Sequence, residues 1–174
     1  MDEPRTVQAL LLPADGSPIR IVSCSIRERD DGDMVDNCMA EFYDPIPDLK
    51  SWFGNEYQQR AMALFHVDTK ENGTVDSTAR AFVRSENSAV HGQYCLYYTL
   101  APNLPANETC VRILGCTPSD RYFWRGNVLV VGFDGHLGMG HRFKSVGEAT
   151  TEPVKEALRR IYESKGLERV HKES

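Results

Sequence analysis

The chain has 174 residues, 41% hydrophobic and 26% charged, which is ordinary for one domain long enough to bury a core. Its formal charge of −5 argues against a general nucleic-acid binder, which needs a basic footprint to displace counterions. No run reaches the roughly 18 apolar residues of a membrane span, and an acidic start with a short apolar run, residues 9–12, gives no secretory leader, so a cytoplasmic protein with no membrane partner is expected.

In chain order, residues 6–12 and 19–26 flank Pro13-Ala14-Asp15-Gly16-Ser17-Pro18. Near-alternation on one side and Asp-Gly between prolines predict a β-hairpin. Residues 27–37 are a charge-rich break. Asp30, Asp31, Asp33 and Asp36 lack the order of a calcium loop, so a solvated loop is expected. Residues 38–43 read as a short strand, and Pro45 and Pro47 stop any regular element after it.

Residues 49–54 read as a helical turn placing Leu49, Trp52 and Phe53 on one face. Residues 59–67 lean to strand, with a tight turn at Asn72-Gly73. Residues 76–84 read as a short helix capped by Asp76 or Ser77. Aromatic-rich residues 91–100 and apolar residues 110–116 read as strands, as does the strongest run, residues 127–133. Asn72-Gly73-Thr74 and Asn107-Glu108-Thr109 match the glycosylation pattern and are expected in surface loops.

The chain ends differently. Val154, Ala157, Leu158, Ile161 and Tyr162 form one apolar stripe at helical spacing, with Thr151 as a cap and Gly166 as a stop. The expected architecture is α+β: a mainly antiparallel, twisted sheet packed by a C-terminal amphipathic helix, with a barrel as the alternative. Residues 1–166 form the single domain, and residues 167–174 a charged, frayed tail.

One stretch concentrates reactive side chains: GFDGHLGMGH, residues 132–141. Asp134 and His136 share a side of an extended backbone, and His141 follows. This is too few ligands for a closed metal site, and Cys-x-x-Cys and His-Glu-x-x-His are both missing, so no metal is expected. Its glycines match neither a P-loop nor a dinucleotide fingerprint, so no cofactor is expected. Cys24, Cys38, Cys95, Cys110 and Cys116 are an odd, scattered set, expected as buried free thiols. The simplest account of the decapeptide is a glycine-rich connection between two strands.

Two functions follow as expectations. The favoured one is a small binding or interaction protein, self-associating or capturing a protein partner or small-molecule ligand. Its surface would be Trp52, Phe53, Trp124 and Arg125, residue types that dominate interfaces, together with the loop of residues 134–141. The alternative is a small hydrolase- or isomerase-like enzyme, with His136 or His141 as acid/base and Asp134 orienting it.

Overall fold

The computed structural model describes residues 6–27, 46–55, 61–69, 75–80, 93–116, 121–134, 142–163, 165 and 167–168. Strands β1 (Thr6–Leu12) and β2 (Arg20–Arg27) form the predicted antiparallel hairpin. In its turn the Asp15 carboxylate accepts from the Ser17 amide at 2.9 Å, and Gly16 takes φ 81°, which L side chains avoid. The two-residue β3 (Ile46–Pro47) pairs with the end of β2, an edge position that tolerates proline. The predicted turn of helix follows as α1 (Lys50–Phe53).

Strand β4 (Ala61–Thr69) is as expected, but the next element is not a helix. Residues 75–80 instead form β5 (Val75–Arg80), registered on β4 from Leu64 opposite Arg80 to Thr69 opposite Val75. A neighbouring strand ready to pair outweighs the weak cap signal of Asp76 and Ser77. Then come β6 (Gln93–Thr99), helix α2 (Glu108–Leu114), β7 (Arg125–Asp134) and β8 (Arg142–Lys144). A 3-10 turn (Glu148–Thr150) runs straight into α3 (Thr151–Glu163), so Thr151 lies inside the helix instead of capping it.

All pairings are antiparallel, in the order β3-β2-β1-β7-β6-β4-β5. β8 joins β7 beyond the stretch that pairs with β1. The fold is α+β, and the sheet does not close: β3 and β5 stand at its two ends. α3 nevertheless lies against both α2 and β5, so the sheet curls around the helix that covers it.

The central strands are apolar on both faces. Leu10 and Leu12 of β1, Leu96 and Tyr98 of β6, and Val128 and Val130 of β7 pack with Val154, Ala157, Leu158 and Ile161 of α3. Their alternates, including Ala9, Leu11, Cys95, Tyr97, Leu129 and Val131, form a second cluster with Leu49 and Phe53. Period-two alternation therefore supplies two cores from one sheet. Leu167 is buried in the first of them, so the core reaches past residue 166 into the expected tail. Gly166, residues 28–45 with Cys38 and the strand expected at 38–43, and the Asn72-Gly73 turn lie outside the described residues.

The helix at α2 overturns the strand expected over residues 110–116, and Asn107 is the reason. Its Oδ1 accepts from the Cys110 amide at 2.9 Å, an N-cap, and Gly115 at φ 68° closes the helix by donating to the Val111 carbonyl. The Asn107 Nδ2 donates to the carbonyls of Leu12 at 3.0 Å and Gly126 at 2.8 Å. One buried amide thus ties the end of β1, the start of β7 and the start of α2. Nor is Asn107-Glu108-Thr109 a surface loop. Asn107 is fully buried, and the Thr109 hydroxyl donates to Pro13 at 2.7 Å.

Asn107→Asp separates the two jobs of this side chain. Aspartate caps an isolated helix as well as asparagine does, but it would place a charge against two carbonyls and remove both donors. The variant should lose about 2–4 kcal/mol in urea unfolding with an unchanged m-value. A loss within about 0.5 kcal/mol of zero would refute the clamp.

Candidate functional site

The structure distributes the sequence candidates unevenly. Asp134 closes β7 opposite Arg142 of β8, while His136 and His141 lie outside the described residues. Gly132, the first glycine of the decapeptide, sits within the β7–β8 pairing opposite Lys144. A Cβ there would stand 2.9 Å from the Lys144 carbonyl oxygen, so this glycine admits a close strand neighbour.

Trp124 is a correction to the expected binding surface. It is 0% exposed, packed edge-on to Phe123 at 5.6 Å, and Phe123 is edge-on to Tyr162 at 6.1 Å. An interface anchor must be reachable, and this ring is in the core instead. Phe53 is buried as well, in the second core. Arg125 is half-buried, and its Nη1 donates to the Leu104 carbonyl at 3.1 Å. Trp52 keeps part of its surface, and its carbonyl accepts from the Asn127 side chain at 3.0 Å. Of the four, Phe53 and Trp124 serve packing and Arg125 tethers the Leu104 loop, while the Trp52 side chain stays partly exposed.

Burial holds two of the thiols, Cys24 and Cys110, in their protonated form, and Cys116 is only partly buried. Cys24 and Cys95 are buried in one core and Cys110 in the other. Burial pushes the Cys24 thiol from 9.0 up to about 11, helped by the nearby Asp48 carboxylate, and burial alone raises Cys110 further still. A nucleophilic cysteine needs a depressed value. These two are small hydrophobes.

The arrangement the sequence reading missed lies between the helices. Thr109, Arg112 and Ile113 of α2 and Thr151, Lys155 and Arg159 of α3 line a groove of about 350 Å³, with Ile19 at its edge. Spacings of three and four residues put each set on one side of its helix. The Thr109 hydroxyl is engaged with Pro13, so this residue belongs to the wall. Arg112 is steadied by a 2.7 Å bond from Nη2 to the Gly16 carbonyl.

Three cations line this groove, and among the described residues no carboxylate does. Lys155 pairs with Glu152 at 3.3 Å and Arg159 with Glu156 at 3.5 Å, both on the same helix. Such exposed i,i+3 pairs are worth only about 0.3–0.5 kcal/mol. Charge-assisted hydrogen bonds from an arginine or lysine to an incoming oxyanion are worth about 1.5–3 kcal/mol each. Two other hollows mix their charges: one of about 570 Å³ pairs Glu108 with Arg112, and one of about 260 Å³ sets Lys165 among Glu163 and Glu168.

The raised thiols carry a pH signature. Between pH 9.0 and about 11 the unfolded chain releases the Cys24 proton while the folded one retains it, so stability falls as pH rises through that window. Each such group contributes up to ~1.4 kcal/mol per pH unit. Cys24→Ala should flatten the decline of urea-unfolding free energy across this window; an unchanged slope would show that Cys24 ionises freely in the fold.

Against known proteins, the chain matches no protein-family model, no curated protein and no solved structure.

Proposed function

We propose that this chain is a binding protein whose recognition site is the groove between α2 and α3, taking a small anionic ligand or an acidic segment of a partner. The observation that carries this reading is the convergence of Arg112, Lys155 and Arg159 on one concavity in a chain of net charge −5. The pairs with Glu152 and Glu156 are exposed and weak, which leaves Lys155 and Arg159 open to exchange for an incoming anion. A low-lying, partly apolar cleft with a few convergent polar groups is also the usual form of a small-ligand site.

Binding through Phe53 and Trp124 loses its basis, because those side chains are buried, while Trp52 and Arg125 keep only part of their surface. The acid/base alternative built on Asp134, His136 and His141 gains no support from the described residues, since both histidines fall outside them. Self-association fits this reading only if an acidic segment of a second copy enters the groove.

Thermal unfolding against a panel of small carboxylates, sulfonates and phosphates at low ionic strength tests the reading. At a hundredfold excess over Kd, a ligand adds about 2.7 kcal/mol, which raises Tm by about 5–10 °C in a domain of this size. The triple variant Arg112→Gln, Lys155→Gln, Arg159→Gln should keep a similar Tm without ligand and lose the rise. No response from any anion, or an equal response from the triple variant, would end the proposal.

A further inference from the structure

We infer that the ligand of the groove is a phosphomonoester carrying a compact apolar body of about one ring, an inference that rests on the binding reading above. The cation set distinguishes phosphate from carboxylate. A single guanidinium satisfies a planar carboxylate through two parallel bonds. Here two guanidiniums and an ammonium come from two separate helices, Arg112 on one wall and Lys155 with Arg159 on the other. A phosphomonoester brings a charge of about −1.5 to −2 and three acceptor oxygens that diverge, which suits donors arriving from opposite sides. The mixture of types fits too, with arginine as a planar fork and lysine as a mobile point charge.

Size and lining set the rest of the ligand. The groove holds about 350 Å³, near the lower end of ligand sites. That leaves room beyond a phosphoryl group for a small body, but not for a large cofactor. Ile19 and Ile113 line the same groove and are partly buried in the adjoining core, so the body is apolar. Arg112 is preset. Its bond to Gly16 at 2.7 Å restrains the guanidinium before a ligand arrives, and a Cβ at Gly16 would lie 3.0 Å from both Arg112 Nη2 and Glu108 Oε2.

Titration calorimetry with phenyl phosphate, benzoate and inorganic phosphate, at 20 mM and 200 mM salt, tests the inference. Phenyl phosphate should bind at least tenfold tighter than either of the others and weaken at the higher salt. Lys155→Gln and Arg159→Gln should each weaken phenyl phosphate about tenfold, and Ile113→Ala should bring it toward inorganic phosphate. Benzoate binding as tightly as phenyl phosphate would overturn the phosphate assignment while leaving an anion groove in place. Equal binding of inorganic and phenyl phosphate would overturn the apolar body. Absence of all three from the groove would overturn the binding reading and this inference together. Circular dichroism of each variant separates loss of binding from loss of fold.

Discussion

The Asn107 amide is the constraint through which the rest of the structure is organised. It caps α2 with its oxygen and holds the ends of β1 and β7 with its nitrogen. A buried amide can do this because it carries both donors and acceptor, and burial makes each unmade bond expensive. Around it the same region is stitched further, with the Asn107 backbone N–H donating to the Trp124 carbonyl, the Glu108 backbone N–H to the Ala14 carbonyl, and the Asn127 side chain accepting from the Ala14 backbone N–H. The orientation of α2, and with it the placement of Arg112, follows from this tie.

The sheet is apolar on both faces, and this governs which residues remain available for chemistry. Valine, leucine and tyrosine alternates of β1, β6 and β7 enter two cores, and Cys24, Cys95, Cys110 and Trp124 go inside with them. Reactive or interface-prone side chains thereby become packing material. What remains accessible between the helices is a strip where charged residues flank the apolar stripe of α3. Lys155 and Arg159 occupy that flank while Val154, Ala157, Leu158 and Ile161 occupy the core. Packing the stripe brings the flank against α2.

The electrostatics are local. An overall charge of −5 describes the mean surface, yet screening limits the reach of exposed charges to about 8–10 Å at ordinary salt. Of the three cations lining the groove, Lys155 and Arg159 keep glutamate partners within 4 Å on their own helix, and carboxylates beyond the screening length count for little. Glu152 and Glu156 soften the cluster without entering it.

Much of the architecture was legible in the residues. The β1–β2 hairpin, β6, β7 and α3 each carry their own periodicity and turn or stop signals within a few neighbours, so local pattern sufficed. It failed where a few residues admit two answers. Residues 75–80 became a strand because β4 was there to pair with them, and residues 108–114 became a helix because Asn107, capping the Cys110 amide, is held by two partners distant in sequence, Leu12 and Gly126. The sequence alone also determined the net charge, the lack of metal and nucleotide motifs, and the amphipathic stripe of α3. Only tertiary structure decided that Trp124 is core and that Arg112 stands across from Lys155 and Arg159. Composition records which residue types a chain owns, whereas burial and convergence depend on contacts between segments far apart along it.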